Sequence, residues 1–499
     1  MMRRVLIANR GEIALRVIRG CTTAGLETVA VYSDADVEAP HVQAADVAVR
    51  IGPPPAAESY LNVAALLEAA RLTGADAVHP GYGFLSERAH FARAVENAGL
   101  IFIGPPADAI ERLGSKTGAR RLMEAAGVPV VPGITLDDQS DAALLAAGTT
   151  LGVPLLVKPA AGGGGIGMKT VRHLDELAAA LAQARREAQA AFGNSTLYLE
   201  RLIDRPRHIE VQIFGDRHGQ IVHLFERECS AQRRHQKVVE ETPSPAVTPA
   251  LRARIGAAAV AAGRTVGYQN AGTVEFLLEG EGDDARFYFL EINARLQVEH
   301  PITECVVGVD LVRAQLAVAA GEPLPWRQTD LTQRGHAIEC RVYAEDPARG
   351  FLPQAGPLLR YREPSGPGLR VDAGVVEGGA VSVYYDPMLA KLIASGDTRE
   401  HCLSRAREAL TRFEILGLRT NLAFLQTLLA HPAFVAGQID TGFLDRHLAE
   451  LTTATPVPVE VMAAAAWHAS LGGATASGTT GPVSTASTDP FDTMRGWRG

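Results

Sequence analysis

Short apolar runs alternate with helical patterns from residue 4 to about residue 110. RVLIAN, TVAVYS, VAVRI, AVHPG and IFIGP read as strands, with helices such as GEIALRVIRGC and YLNVAALLEAARLTG between them. This alternation predicts βαβ units and a parallel, doubly wound sheet. Sheets of that kind bind ligands at the carboxyl ends of their strands. The first turn, ANRGEIA, has one glycine and lacks GxGxxG, which argues against a dinucleotide there.

Around residue 115 the pattern changes. A short helical piece, SKTGARRLMEAAGVPVVPG, leads to a buried strand, VPLLVKPA, and then to AAGGGGIGMKTV. After YLERLI, RHIEVQIFGD and IVHLFERECS comes a long helix over LRARIGAAAVAAGRTV, and then a hairpin, AGTVEFLLEG to RFYFLEINAR. This stretch reads as α+β with mainly antiparallel sheet. Strands return in HAIECRVYAED, LLRYREP and SVYYDPMLAKLIASG, followed by helices to about residue 449. Residues 452 to 488, rich in Ala, Ser, Thr, Gly and Pro, read as a linker. No internal repeat is visible. The fold class is therefore α/β and α+β, in several domains.

Read with period two, EINARLQVEH (residues 291–300) turns Glu291, Asn293, Arg295, Gln297 and Glu299 one way. Ile292, Ala294, Leu296 and Val298 turn the other. With the hairpin turn in EGEGDD, centred near Asp283, Glu275 falls opposite Glu291. Two carboxylates about 4 Å apart at an effective dielectric of about 20 repel by roughly 4 kcal/mol. Such a pair persists by sharing a proton or clamping a cation. Glu275, Glu291 and the carbonyl of Asn293 form an oxygen-only set suited to Mg²⁺ or Mn²⁺ on a nucleotide's phosphates. Spacing alone leaves open an exposed hairpin with solvated carboxylates.

The run Gly162 to Gly165, followed by Ile166 and Gly167, is too flexible for a strand or helix interior, and its N–H groups could approach phosphates. The pattern GxxxxGK[ST] is not met, because Lys169 follows Met168. A plain surface linker is the other reading. Lys158 ends an apolar strand and Lys116 follows a Ser115 N-cap; both suit phosphate contact, and either could equally be solvated. CSAQRRHQKVVEE, residues 229–241, sets Arg233, Arg234, His235 and Lys237 beside Glu240 and Glu241, as an anion site or a salt-bridge ladder. Cys229 reads as a small packing residue.

Composition narrows the class. The chain has 499 residues, 47% hydrophobic and 21% charged, with a formal net charge of −8. A folded enzyme or binding protein fits; bulk nucleic-acid or anionic-membrane binding does not. Five cysteines, Cys21, Cys229, Cys305, Cys340 and Cys402, form no CxxC pair and suit a reduced, cytoplasmic compartment. No signal core or membrane-length apolar run is present.

Taken together, MRRVLIANRGEIALRVIR, HPGYGFLSE, GGGGIGM, CSAQRRHQKVVEE, EINARLQVEHPITE, GHAIECRVYAEDP and YYDPMLAKL stand in the order seen in biotin carboxylases. The chain resembles that family from residue 2 to about 449. The resemblance implies an ATP-grasp fold: an N-terminal doubly wound domain (1–114), a central ATP-grasp domain with a glycine-rich lid (115–331) and a C-terminal mixed β/α domain (332–449). Residues 450–499 would be a linker and the start of a following region. It implies an ATP-dependent ligase that converts ATP, bicarbonate and biotin to carboxybiotin, ADP and phosphate through carboxyphosphate, serving an acyl-CoA carboxylase.

By the same matching, Glu275, Glu291 and Asn293 would hold Mg²⁺ or Mn²⁺, two ions in all, on ATP. Lys237, Arg295, Gln297 and Val298 would bind bicarbonate, and Glu299 would be the base that takes its proton. Arg341 would stabilise the biotin enolate. Lys116, Lys158, Gly164, Gly165, Glu200, Arg201, Leu202, Ile203, His208, Gln232 and His235 would line the ATP pocket. Relatives often carry Arg or Lys where this lid has Ile166. The tail DPFDTMRGWRG resembles the region that follows the carboxylase module in long α chains, yet no carrier motif AMKM occurs. Biotin is therefore expected on a carrier protein or domain on another chain, or in a missing C-terminal part. A carboxyltransferase subunit and a homodimer or larger complex complete the expected partners. Another ATP-grasp ligase or a non-enzymatic nucleotide-binding subunit are the competing classes.

Overall fold

The computed structural model describes residues 2–161, 167–234, 236–453 and 459–472. Five parallel strands open the chain: β1 (Arg4–Ile7), β2 (Glu27–Ser33), β3 (Val47–Gly52), β4 (Ala77–His79) and β5 (Ile101–Phe102). Their order β3-β2-β1-β4-β5 is doubly wound, with β1 at the centre and the five strands expected from the sequence in place. The helix Gly11–Thr23 buries Ile13, Ala14, Val17, Ile18 and Cys21, a spacing that forms one helical face.

The loop after β4 is built for close approach. Gly81 lies at φ +62°, and a Cβ there would sit 2.8 Å from Asn9 Nδ2. That amide donates to Pro80 O at 2.8 Å and Tyr82 O at 2.7 Å. Beneath the loop, buried His79 accepts Gly81 N–H at Nδ1 (3.0 Å), so its proton sits on Nε2 facing Gln315 Oε1 (3.2 Å). Burial pushes the imidazole down to about 4. Its contribution to stability is therefore present above about pH 6.5 and lost as pH falls towards 4. His79→Asn, which keeps an acceptor for Gly81, is expected to shrink the loss of unfolding free energy between pH 7 and pH 5 by about 2 kcal/mol, read by urea titration. An unchanged difference would contradict the assignment.

Four short strands, β6 (Gly133–Ile134), β7 (Leu155–Pro159), β8 (Lys169–Val171) and β9 (Leu197–Arg201), form a separate sheet in the order β6-β9-β7-β8. Ser115 caps the helix Lys116–Ala125 by accepting Gly118 N–H, as the sequence suggested. The main sheet is antiparallel. It comprises β10 (Arg207–Gly215), β11 (Ile221–Arg233), β12 (Gln236–Thr242), β13 (Asn270–Glu279), β14 (Arg286–Asn293) and β15 (His336–Tyr343). The strands Met388–Gly396 and Leu369–Ala373 complete the order β14-β13-β10-β11-β12-β15, then Met388–Gly396, then Leu369–Ala373. This sheet runs unbroken past residue 331, where a domain boundary is expected, because β12 pairs directly with β15. Residues up to Leu451 pack as one unit.

The stretch read as a linker contains a helix, Val459–Gly472. Alanine, which gave the segment its linker-like composition, is also the strongest helix former. The remainder of that stretch from residue 473, and DPFDTMRGWRG, lie outside the described residues.

Candidate active site

A cavity of about 610 Å³ opens where the ends of β1 and β4 face the main sheet. Asn9 to Ile13 and Tyr82 to Phe84 form one wall. His208, Gln236, Lys237, Glu275, Glu291, Asn293, Arg295, Gln297 and Val298 form the floor, and Arg341, Tyr343, Tyr384 to Asp386 and Met388 close the third side.

Glu275 on β13 and Glu291 on β14 are register partners, as the turn position predicted. The strand does not continue through residue 299, however. β14 ends at Asn293 because Ala294 N–H donates to the Glu87 carboxylate (2.9 Å), and residues 294–299 turn into the helix His300–Val307. Arg295, Gln297 and Val298 reach the cavity through that connector rather than by a pleat. Val298, expected on the apolar face, lines the cavity.

Charge is concentrated here. Lys237 Nζ touches Glu210 (2.5 Å), Glu275 (2.8 Å) and Glu299 (2.7 Å). Arg341 reaches Glu240 (2.6 Å) from Nε and Glu299 (3.1 Å) from Nη2. Buried Arg227 holds the other oxygen of Glu210 at 2.5 Å. Burial pushes the Glu299 carboxyl up, but Lys237, Arg341 and Arg227 overcome it and hold the group well below the usual range. Glu275 is likewise lowered against its burial, by Lys237 and His208, whose Nε2 lies 3.1 Å away. Glu291 moves the opposite way, raised by desolvation and by Glu275. Glu240 rises to about 7, mainly by burial. Arg295 donates to Gln297 Oε1 (2.8 Å) and Asn293 Oδ1 (3.1 Å), and its Nε lies 3.1 Å from Glu87.

The expected ATP residues divide. Lys116 Nζ stands 3.9 Å from Glu291, and His208 lines the cavity. Lys158 and Glu200 form a buried pair (2.8 Å) on the small sheet, with Arg120 on the other Glu200 oxygen (2.9 Å). Arg201 turns its side chain to Glu279, and Ile203 is buried against Val131 and Tyr288, with Leu202 between them half-buried. Gln232 is buried beside Lys237 in the β11–β12 register. Gly164, Gly165, Ile166 and His235 lie outside the described residues. The acids of CSAQRRHQKVVEE pair outside the segment, Glu240 with Arg341 and Glu241 with Arg399 and His336, while Gln236 and Lys237 line the cavity. Cys229 is buried and its thiol is pushed up by desolvation, which suits packing rather than nucleophilic attack.

Residue-level reading missed Tyr82 and Phe84, although HPGYGFLSE contained them. It also missed Glu12, which accepts a hydrogen bond from Tyr82 Oη, and Glu87 and Glu210.

The Glu275–Glu291–Asn293 set fits a hard divalent cation by donor type: the donors are all oxygen and two carboxylates face each other, with Lys237 2.8 Å from Glu275 and Lys116 3.9 Å from Glu291. Two other buried clusters, His208–Glu210–Glu275 and Glu210–Cys229–Glu299, already share Lys237 and Arg227 as their cations. At the surface, His431, His447 and Glu450 also converge. There His431 Nδ1 accepts Ala433 N–H, which leaves a proton on the Nε2 that faces Glu450.

Fold and site define an ATP-grasp ligase. The family described as carbamoyl-phosphate synthase L chain, ATP binding domain, matches residues 115–327. Biotin carboxylase, N-terminal domain, matches residues 1–110, and biotin carboxylase C-terminal domain matches residues 339–446. The biotin carboxylase of Halalkalibacterium halodurans is 52% identical over 458 residues, covering 91% of this chain and 100% of that protein. The mitochondrial methylcrotonoyl-CoA carboxylase subunit alpha of Arabidopsis thaliana is 50% identical over 93% of this chain, which spans 64% of that relative's length. A crystal structure of the biotin carboxylase domain dimer of Hydrogenobacter thermophilus 2-oxoglutarate carboxylase, with MgADP, ADP and bicarbonate, superposes with TM-score 0.86 at 42% identity, covering 91% of this chain and all of that one. The chain belongs to the biotin carboxylase family. It is an ATP-dependent ligase of that type, with a biotin carboxylase domain matching on each side of the central one.

Proposed function

We propose that the chain carries out the first half-reaction of a biotin-dependent acyl-CoA carboxylase: ATP, bicarbonate and carrier-borne biotin become carboxybiotin, ADP and phosphate. The observation that carries this reading is the convergence of Lys237 and Arg341 on Glu299, beside the guanidinium of Arg295 and the Glu275–Glu291 ribbon.

Arg295, with Gln297, Lys237 and the backbone at Val298, binds bicarbonate, whose planar oxyanion matches a guanidinium fork. Glu299 then removes the bicarbonate proton, making the oxygen nucleophilic towards the γ-phosphate. In the structure Glu299 is a weak base, because three cations stabilise its charge. Transfer of Lys237 and Arg341 to substrate oxygens restores its basicity, so base strength rises only when substrate is present. Glu275, Glu291 and Asn293 would hold Mg²⁺ or Mn²⁺, which when bound neutralises phosphate charge. Lys116, His208 and the Lys158–Glu200 pair serve the nucleotide. Attack on the γ-phosphate releases ADP and gives carboxyphosphate, which breaks down to CO₂ and phosphate; phosphate takes the biotin N1 proton, Arg341 stabilises the enolate, and N1 attacks CO₂ to give carboxybiotin.

The relatives support partners of two kinds, a biotin carrier and a carboxyltransferase, and a dimeric assembly. Five free cysteines fit a reduced compartment such as the cytoplasm, and among the described residues no helix is long and apolar enough to cross a membrane.

ATP hydrolysis by the chain, with and without bicarbonate and free biotin, tests the reading. Bicarbonate dependence with stimulation by biotin is expected; dependence on an amine or amino acid, or no turnover, contradicts it. Arg295→Ala should weaken bicarbonate and slow chemistry together, by roughly 2–4 kcal/mol in kcat/KM for bicarbonate. An unchanged kcat/KM would remove Arg295 from the site.

A further inference from the structure

Resting on the roles proposed for Val298 and Glu299, we infer that Lys391 is a positioning residue for bicarbonate, fixing the backbone of the connector from beneath. The connector 294–299 has left the sheet, so no ladder hydrogen bonds define its shape. Lys391, fully buried on the strand Met388–Gly396, donates from Nζ to the Val298 carbonyl at 2.6 Å.

Its placement is unusual. Lys391 and Arg341 are direct cross-strand partners, an arrangement in which like charges repel. They diverge to grip consecutive residues: Arg341 takes the Glu299 carboxylate (3.1 Å) and Lys391 takes the Val298 carbonyl. Lys391 is held in its charged form by Glu12 (3.4 Å) and Asp372 (3.9 Å). Glu12 in turn accepts from Tyr82, so one ammonium ties the cavity wall of the first domain, the connector and the far edge of the main sheet to one another. A buried lysine whose only role was charge balance would not need a main-chain carbonyl. This one holds the 298–299 peptide, which adjoins the peptide carrying the Val298 N–H on one side and the Glu299 side chain on the other.

The test is steady-state kinetics of bicarbonate-dependent ATP hydrolysis in Lys391→Met. A misplacement of about 1 Å costs about a hundredfold, so kcat/KM for bicarbonate should fall by about that factor while KM for ATP stays within about threefold. Asp372→Asn, which disturbs the same charge cluster without touching Val298, should leave the bicarbonate kcat/KM within about threefold of wild type. Lys391→Gln covers the case in which methionine prevents folding: it keeps a shorter donor and should show the same bicarbonate-selective loss, about tenfold. Equal losses in the ATP and bicarbonate parameters, or wild-type bicarbonate kinetics, would overturn the inference. A wild-type chain without bicarbonate-dependent turnover would instead overturn the functional reading on which it rests.

Discussion

On its proposed role as base, replacing Glu299 by glutamine should lower bicarbonate-dependent ATP turnover by a factor of about 10²–10⁴, while nucleotide affinity stays close to wild type. The amide keeps the shape of the side chain but cannot accept the bicarbonate proton. The fold should tolerate the change, because each cation that loses the carboxylate keeps another partner. Lys237 retains Glu210 and Glu275, and Arg341 retains Glu240. Calorimetric binding of ADP beside the rate measurement separates the two effects. A fall in affinity as large as the fall in rate would make Glu299 a nucleotide-binding residue instead.

Lys237→Met should produce the largest loss of stability, about 3–5 kcal/mol at pH 7.5, because it strips one cation from three buried carboxylates. Arg227, His208 and Arg341 remain, one for each carboxylate, so the chain is not left without compensation. In the native protein Glu275 and Glu299 are held below the usual carboxylate range against their burial, with Lys237 the leading favourable cause in both. Its removal raises both. A carboxylate held below its unfolded value contributes stability above about pH 4.5 and loses it as pH falls further. The deficit of the variant should therefore be full at pH 7.5 and shrink below about pH 4.5 in urea titrations. A deficit below about 1 kcal/mol, or one that grows on acidification, would show that Lys237 does not clamp the three carboxylates.

Local rules read much of the fold correctly. Apolar runs gave the five parallel strands, and the turn EGEGDD fixed the Glu275–Glu291 register, because hairpin pairing follows from where the turn sits. Ser115 as a helix cap is equally local. What failed depended on distant partners. The strand stops at Asn293 because Glu87, far away in sequence, captures the next N–H; a pattern of alternating residues carries no trace of that. The partners of Lys237 on β10, β13 and the connector, and those of Lys391 across three domains, belong to tertiary structure alone. The Val459–Gly472 helix was missed for a different reason, since small residues serve linkers and helices alike.

The central claim is that nucleotide phosphates, divalent cation and bicarbonate meet over the Glu275–Glu291 ribbon and the connector that follows it. A crystal structure of the chain with ADP, Mg²⁺ and bicarbonate tests this most directly. The account predicts bicarbonate hydrogen-bonded to Arg295 and the Val298 N–H, with a Glu299 oxygen in reach of its hydroxyl and the cation on Glu275 and Glu291. Bicarbonate bound elsewhere, or a cation seated away from both glutamates, would contradict it.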